Sequence, residues 1–295
     1  MIAVVGAGLI GSAVAWQLTQ AGAEVLVLDA GRAGAAWKAG AGMLSPQGER
    51  LAGTPLEQDA QTSLSLWPEF AHRLSKGAGW TVPLTFGVEH LQPDRSVYVC
   101  PHEARTCPPL VVAAARTGLN LRCAEVQRLL PVRGGVRVCT SEGEFCADQV
   151  VLACGVWTRA FGVKVAAVRG QAVLLQTQPG APARFAPPGG GHARYGLGRP
   201  DGLYIGATAR ATDSHRPSVR ERGWLLGVAS ELFADQAWPQ CWARDLVGLR
   251  PVNPFGPPLV APHPTLPRVT VATGHGRHGA LLAPLTARRV AELVL

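Results

Sequence analysis

The first 29 residues carry the pattern that most constrains how this chain can fold. An apolar run at residues 2–5 (IAVV) leads into GAGLIG at residues 6–11, and a helix-like run continues to residue 21. Gly22 ends that run, and a second apolar segment, AEVLVLD, ends at Asp29. Apolar runs of these lengths with glycines at their junctions predict a strand, a helix and a second buried strand. A βαβ unit of this kind is typical of an α/β fold with a parallel sheet.

The glycine spacing in this unit, G-x-G-x-x-G, predicts a dinucleotide site. Gly6 allows a tight turn, Gly8 allows a diphosphate to come close, and Gly11 allows the helix to pack against the strand. The amino end of the helix offers free N–H groups and a positive dipole to phosphates. Asp29, at the end of the second strand, is placed to accept hydrogen bonds from a ribose hydroxyl. The unit alone does not distinguish FAD from NAD.

Composition excludes several other classes of protein. Hydrophobic residues make up 47% and charged residues 16% of the 295 residues, which is typical of a folded enzyme rather than a disordered chain. The net charge of +8 comes mostly from scattered arginines, and without a dense basic run we expect no nucleic-acid partner. No segment is apolar enough to span a membrane, so we expect no membrane partner. Seven cysteines without C-x-x-C spacing indicate a reducing compartment, and we expect a cytoplasmic protein.

Residues 30–49, AGRAGAAWKAGAGMLSPQGE, decide between the two cofactors. The run is a poor helix or strand former, and its glycines let backbone amides lie against a flat ring. The run resembles the corresponding segment of the FAD-dependent D-amino-acid oxidase superfamily, especially its glycine oxidase branch. The resemblance lies in its small residues, in Trp37 and in the later Ala41-Gly42-Met43-Leu44. The resemblance implies FAD. We expect noncovalent FAD, because the carboxyl-terminal segment lacks the cysteine to which some sarcosine oxidases attach flavin.

Further segments resemble the family, in family order, along nearly the whole chain. Val126 stands where the family contacts the cofactor through its backbone. The segment ACGVW at 153–157 resembles the strand end that lies beside the FAD diphosphate, and its glycine suits close approach of the backbone. The remaining matching segments are VRGQAVLL (168–175), GLYIGATA (202–209) and the carboxyl-terminal part from 247 to 293.

The resemblance implies an α/β fold with a Rossmann-type FAD-binding domain and a smaller, mostly antiparallel β substrate domain. The predicted FAD-binding domain is discontinuous and the substrate domain is inserted into it. The FAD-binding domain is predicted to comprise 1–77, 101–162 and 249–295, and the substrate domain 78–100 and 163–248. Two Pro- and Gly-rich stretches, 179–191 and 254–267, are predicted to be loops.

The resemblance also implies the reaction: oxidative deamination of glycine or a similar small amine. Hydride transfer to flavin N5 would give an imine or 2-oxo acid, ammonia and, with oxygen, hydrogen peroxide, with a role in thiamine thiazole synthesis. Such a reaction needs the substrate carboxylate clamped, and a guanidinium fork suits that task. The arginines that match the family's carboxylate-binding positions are Arg250 in GLRP and Arg277 in GHGRHG, assisted by Tyr195. The alternative for each arginine is a surface ion pair.

The segment GHGRHG at 274–279 follows a strand-like run and precedes a helix predicted to begin near Ala280. His275 and His278 are three residues apart, but no Asp, Glu or Cys lies nearby in sequence, so we predict no metal site. The glycines predict a turn that brings the helix amino end to the flavin, where its dipole would stabilise an anionic reduced ring.

The predicted cofactor contacts therefore come from six separate places along the chain. They are Gly6, Gly8, Leu9, Ile10, Gly11, Asp29, Ala41, Gly42, Met43, Leu44, Val126, Ala153, Gly155, Trp157, Gly274, His275, Gly276, Arg277, His278 and Gly279.

Two departures from the family pattern widen the set of candidate substrates. Several tens of residues that cover the substrate in the family are missing between residues 92 and 93, so the pocket is expected to be open or completed by a partner subunit. Gly276 replaces an aromatic residue, which predicts a roomier pocket. Sarcosine, a D-amino acid or proline are therefore alternative substrates, and an FAD-binding interaction protein or an NAD(P)-dependent dehydrogenase are alternative functions. The sequence gives no oligomeric state, so a homo-oligomer is one of the alternatives.

Overall fold

The computed structural model describes residues 1–94, 96–176, 180–189, 191–234 and 243–295. Its strands, in chain order, are β1 (Ile2–Val5), β2 (Val25–Asp29), β3 (Met43–Leu44), β4 (Leu84–Leu91), β5 (Val97–Thr106), β6 (Asn120–Cys123), β7 (Val126–Val132), β8 (Gly135–Thr140), β9 (Gly143–Ala147), β10 (Gln149–Leu152), β11 (Ala166–Leu175), β12 (Ala183–Gly189), β13 (His192–Arg199), β14 (Gly202–Gly206), β15 (Arg210–Ala211), β16 (Ala243–Val252), β17 (Leu259–Pro262) and β18 (Val269–Thr273). The α-helices are α1 (Leu9–Gln20), α2 (Glu57–Ala78), α3 (Pro108–Arg116), α4 (Val219–Leu232) and α5 (Gly279–Val294), and two short 3₁₀ helices span Ala36–Ala39 and Gly155–Phe161.

A six-stranded sheet contains the amino-terminal βαβ unit. Its order is β17-β18-β10-β1-β2-β6, and all neighbours are parallel except β17 and β18. All four residues of β1 are buried, because helices α1, α2, α3 and α5 cover one face and the meander β7-β8-β9 covers the other. A parallel strand covered on both faces needs a continuous apolar sequence, which IAVV supplies.

A nine-stranded sheet forms the second layer of the molecule. The order β15-β11-β14-β13-β12-β4-β5-β3 is extended by β16, which pairs antiparallel with β11 over ten residues. Helix α4 packs apolar side chains such as Leu225 against one face. The opposite face carries Tyr195 and Tyr204 and packs against Ala41 and Met43 of the segment after β2. This face looks towards the carboxyl ends of the parallel strands.

The structure confirms the predicted fold class, an α/β parallel sheet combined with a mostly antiparallel one. The predicted domain division remains a prediction. Two of its boundaries, at 100/101 and 248/249, fall inside β5 and β16, which are continuous strands of the larger sheet.

The prediction of a loop over 179–191 is wrong for much of that stretch, of which residues 179 and 190 lie outside the described residues. Strand β12 runs through it, antiparallel to β13 and parallel to β4. The register shifts between Ala186 and Gly189, so the two prolines at 187 and 188 lie at a bulge, where a missing N–H is tolerated. The loop predicted over 254–267 likewise contains the short strand β17.

Strands β4 and β5 form a hairpin at the place where the sequence predicts that a family segment is missing. Leu91 pairs with Val97, and the Gln92 N–H donates to the Ser96 carbonyl at 2.9 Å. Only residues 92–96 therefore separate the two strands, which is too short for an inserted family segment of several tens of residues.

Candidate active site

A cavity of about 600 Å³ lies between the two sheets. It is lined by the residues that follow the carboxyl ends of β1, β2, β10 and β18, and by Tyr195 and Tyr204 of the larger sheet. Ligands of parallel α/β sheets bind outside the carboxyl ends of the strands, and this volume is within the usual range for ligand sites. The cavity is therefore the candidate site for both cofactor and substrate.

The glycine-rich turn at one end of the cavity has the geometry that a dinucleotide turn needs. Gly6 has φ of 97°, and a Cβ there would lie 2.7 Å from the Ala153 carbonyl oxygen. A Cβ on Gly11 would lie 1.8 Å from the Gly6 oxygen, so only glycine lets α1 pack this closely. Asp29 Oδ2 accepts a hydrogen bond from the Ala7 N–H at 2.6 Å, and Oδ1 accepts from Gly31 at 2.7 Å. The carboxylate is thereby fixed beside the turn.

Trp37 lies over the middle glycine of this turn. A Cβ on Gly8 would be 3.2 Å from Trp37 Cδ1, so the glycine makes room for the indole ring. The Arg116 guanidinium lies 5.2 Å and the Lys38 ammonium 5.8 Å from the ring centroid, both within cation–π range. Arg116 Nε also donates to the Ala7 carbonyl at 3.0 Å. Two positive charges thus lie next to the predicted diphosphate site.

Arg250, near the end of β16, reaches across the neighbouring strand. Its guanidinium lies over Gly170, where a Cβ would be 2.3–2.5 Å from three of its atoms. Its NH1 group donates to the Thr208 carbonyl at 3.0 Å. The described residues form no ion pair with Arg250, and its side chain lines the cavity. The guanidinium is therefore held in place while its charge is left for an anion.

Tyr195 and Tyr204 form a stacked pair beside Arg250. Their ring centroids are 6.1 Å apart with planes at 14°, and the Tyr204 hydroxyl donates to the Ala39 carbonyl at 2.9 Å. Burial raises the pKa of Tyr195, although the charges of Arg250 and Arg277 oppose this effect. The Tyr195 phenol is therefore protonated near neutral pH and can donate a hydrogen bond.

Arg277 makes an ion pair with Glu49, which lies in the loop after β3. The Glu49 side chain is only 7% exposed, and its Oε2 is 3.5 Å from His278 Nε2. Burial works to raise the pKa of Glu49, but His278 and Arg277 outweigh it, and the pKa is lowered overall. Glu49 also raises the pKa of Arg277, although partial desolvation of this guanidinium, whose side chain is 41% exposed, works against it. Both side chains are therefore charged at neutral pH.

The carboxyl-terminal loop connects β18 to α5 and is anchored by backbone bonds. The Gly276 N–H donates to the Pro251 carbonyl at 2.7 Å, and His278 N–H donates to the His275 carbonyl at 2.9 Å. His275 is buried and its Nε2 lies 2.9 Å from Thr286 Oγ1. Burial, with a smaller effect of His278, lowers its pKa to about 3, so the ring is neutral. Within the described residues no group of three or more metal-ligating side chains comes together.

Helix α5 begins at Gly279, one residue before the predicted start, and Gly279 and Ala280 line the cavity. Its free amino-terminal N–H groups therefore face the candidate site.

The structure brings most of the predicted site residues to one cavity. Arg250, Arg277 and Tyr195 all line it, as do all but four of the predicted cofactor residues. The four that lie outside the lining make their contacts with the protein: Gly11, Leu44, Gly274 and His278. Their predicted roles, like those of the lining residues, stay predictions.

Sequence reasoning missed four residues that the structure places in or beside the cavity. Trp37 stands out in the sequence only as part of a resemblance, and nothing there singles out Tyr204, Arg116 or Glu49. Glu49 follows directly after the segment AGMLSPQG, but a single carboxylate in a polar loop is no local signal. Arg116 carries no signal either, because an arginine at a helix end is common.

The chain matches the family described as "FAD dependent oxidoreductase" over residues 1–97 and 88–293, and it belongs to that family. The two matched segments overlap at 88–97, which belongs to β4, β5 and their connection. FAD is therefore the cofactor of this chain, and the tight glycine turn, the fixed Asp29 and the neighbouring cations at the cavity fit it.

The most informative relatives are glycine oxidases. The glycine oxidase of Pseudomonas aeruginosa is 29% identical over 349 residues, covering 99% of this chain and 94% of that protein. The bifunctional protein ThiO/ThiG of Synechocystis is 28% identical and covers 100% of this chain and 51% of that protein. The glycine oxidase structure from Geobacillus kaustophilus superimposes with a TM-score of 0.87 at 27% identity, covering 99% of this chain and 94% of that one. These matches confirm the resemblance to the glycine oxidase branch.

The alignment with the Pseudomonas protein is longer than this chain, so that relative has residues that this chain lacks. Among the described helices, none has the length and apolar character needed to cross a membrane.

Proposed function

We propose that this protein oxidises a small amino acid, with glycine as the first candidate, at the FAD bound in the 600 Å³ cavity. The observation that carries the proposal is the placement of Arg250, Arg277 and Tyr195 on the same cavity as the dinucleotide turn. A carboxylate-binding group and a redox cofactor site in one cavity are what amino-acid oxidation requires. The similarity to glycine oxidases supports the same substrate class.

Each of the three side chains has a separate task in this proposal. Arg250, which has no anionic partner among the described residues, binds the substrate carboxylate through its guanidinium fork. The protonated Tyr195 donates a hydrogen bond to the same carboxylate. Arg277, which lines the same cavity, limits how the substrate can rotate. The clamp holds the Cα–H bond in one orientation, which makes the reaction effectively unimolecular.

The residues around the clamp prepare the cavity for charge transfer. FAD, when bound, supplies the hydride acceptor. The amino end of α5 directs free N–H groups and a positive dipole at the cavity, and we assign them the stabilisation of negative charge that develops on the ring. His275 stays neutral, so it adds no competing charge. The proposed products are the imine or 2-oxo acid, ammonia and, with oxygen as acceptor, hydrogen peroxide.

The similarity to ThiO proteins supports a role of this reaction in thiamine thiazole synthesis. The proposed location is the cytoplasm, which the cysteine pattern supports. The roomier pocket at Gly276 supports acceptance of sarcosine, proline or a D-amino acid as well: a Cβ at that position would meet only Val252, at 3.9 Å.

The test is a substrate screen with the FAD-reconstituted protein. We expect glycine or another small amine to bleach the flavin absorbance without oxygen and to release hydrogen peroxide in air. Arg250→Gln is expected to keep FAD and to raise KM at least about tenfold, because one charge-assisted bond is lost. Arg288→Gln, which removes an exposed arginine on α5, is the matched control. If FAD binds and no amine bleaches it, the protein is not an amine oxidase, and an interaction role replaces the proposal.

A further inference from the structure

Two arginines line the cavity, but their electrostatic situations differ. Arg277 already has a carboxylate partner within the protein, Glu49, whereas the described residues give Arg250 none. A substrate carboxylate near Arg277 is attracted by the guanidinium and repelled by the adjacent Glu49 charge. Because both terms act at similar distances, most of the attraction cancels. Arg250 therefore supplies most of the net attraction for an anion.

Glu49 is held firmly enough to act as a fixed partner. Its loop is fastened by the Gln47 N–H, which donates to Glu103 Oε1 at 2.6 Å, and Glu103 in turn contacts His90 at 2.7 Å. Glu49 Oε2 is buried and points at Arg277 and His278 rather than at solvent. If the Arg277 guanidinium moved away, the buried Glu49 carboxylate would be left charged without a partner, which costs free energy. The ion pair is therefore stable.

The Glu49–Arg277 pair also lies between two cavities. A second cavity of about 370 Å³, called here the outer chamber, borders the main one and shares Glu49 and Arg277 with it. The outer chamber is lined by 47–50, 90–93, 185–188, 193–194 and Arg277. It lies beside the shortened β4–β5 hairpin, so the ion pair is part of the wall between the active site and this chamber.

We propose that Glu49 is a positioning residue that holds the Arg277 guanidinium in the wall between the two cavities and cancels most of its charge. Arg250 is then the principal carboxylate ligand, and Arg277 orients the substrate rather than increasing its affinity. This inference rests on the proposed function. It predicts that loss of Arg250 raises KM, whereas loss of Arg277 together with Glu49 leaves the affinity nearly unchanged and mainly lowers kcat.

Glu49→Gln tests the inference, because it removes the charge and keeps the shape. In the FAD holoenzyme, we expect acetate, a carboxylate without an amine to oxidise, to bind about tenfold more tightly than in the wild type, as the repulsion is gone. With glycine as substrate, KM should fall and kcat should also fall, since Arg277 is no longer held. The acetate dissociation constant is read from the change in flavin absorbance, which needs no turnover.

Two further variants separate positioning from folding. Glu49→Asp keeps the charge and should restore the wild-type acetate affinity. In the double variant Glu49→Gln with Arg277→Gln, both charges of the pair are removed, so acetate affinity should lie close to the wild-type value and below that of Glu49→Gln alone. Glu292→Gln, which breaks the exposed ion pair with Arg288 on α5, is the control for removing a glutamate charge.

The outcomes distinguish this inference from the proposed function. If the wild type oxidises glycine and binds acetate, but Glu49→Gln leaves both the acetate affinity and kcat unchanged, the inference is wrong and the function stands. An equal loss of acetate affinity in Arg250→Gln and in the double variant would also overturn it. If the wild-type holoenzyme binds no carboxylate and oxidises no amine, the proposed function fails and the inference fails with it.

Discussion

Among single residues, the site depends on glycines that make room for charged side chains. Gly170 follows the arginine of the VRGQ segment, and its missing Cβ is what lets Arg250 lie across β11. The three atoms that a Cβ at this position would meet first all belong to the Arg250 guanidinium. Gly170 thus sets the position of a side chain that is distant from it in the sequence.

Gly170→Ala should move the Arg250 guanidinium without unfolding the sheet, because a flexible side-chain end can shift more easily than backbone. We expect KM for the substrate amine to rise by about tenfold or more through loss of a charge-assisted bond, while FAD content stays unchanged. Steady-state kinetics and the flavin spectrum measure both. Gly223→Ala, on α4 with open space around its Cβ position, is the matched control. An unchanged KM would show that Arg250 does not bind the substrate carboxylate.

The single residues of the site also show which of its features can be predicted from the sequence. The two arginines can be found because each is part of a recognisable motif, GLRP or GHGRHG. Glu49 cannot, because its importance comes from contact with Arg277 near the other end of the chain. A single carboxylate in a polar loop is usually a solvated charge, and no local pattern separates it from a buried partner.

Among the structural elements, helix α2 packs against helix α5 beside Pro284 of α5. Pro284 has no N–H, so the helical bonding of α5 is interrupted there. Ser63 Oγ donates to the Leu281 carbonyl at 2.7 Å and accepts from the Leu285 N–H at 3.4 Å, so it bridges two backbone groups of the turn that contains the proline. Trp67 Nε1 donates to the same carbonyl at 3.1 Å. The helix whose amino end faces the cavity is thereby fixed by a long neighbouring helix.

Ser63→Ala should remove the hydroxyl contacts to the Leu281 carbonyl and the Leu285 N–H in a buried environment. We expect a loss of about 1–3 kcal/mol in the free energy of unfolding, measured by urea denaturation, and a lower Tm. Ser65→Ala on the exposed side of α2, where the hydroxyl bonds only to Thr62, should change stability by less than about 0.5 kcal/mol. Equal effects in the two variants would contradict the bridging role.

In the molecule as a whole, the cavity between the sheets belongs to neither sheet alone. The parallel sheet supplies the glycine turn and Asp29, and the larger sheet supplies Tyr195, Tyr204 and Arg250. A ligand that contacts both layers stabilises the folded chain by mass action, because the unfolded chain cannot bind it.

FAD should therefore raise the Tm of the protein freed of cofactor. At a concentration about 100 times the Kd, the gain is about 2.7 kcal/mol, which corresponds to several degrees. Asp29→Asn keeps an oxygen for the Ala7 N–H but weakens the acceptor for a ribose hydroxyl, so its FAD-induced shift should be smaller. Asp94→Asn, in an exposed turn, should shift like the wild type. A Tm that NAD raises and FAD does not would contradict the assignment of the cavity.

Local sequence patterns are enough to predict the parallel sheet, its glycine-rich turn and the order of the family segments. These features depend on short-range spacing: apolar runs of strand length, glycines at fixed offsets and an acidic residue at a strand end. The same patterns fail at β12, because prolines and glycines indicate a loop unless the bulge that accommodates them is known.

Which distant residues meet depends instead on tertiary packing. The Glu49–Arg277 pair, the position of Arg250 over Gly170 and the Ser63 bridge in α5 all join segments that are far apart in the chain. Such contacts depend on how two sheets and their helices pack, and packing is set by the complete set of buried surfaces rather than by any local period. The clamp can therefore be predicted from the sequence as two arginines, but their unequal charge environments cannot.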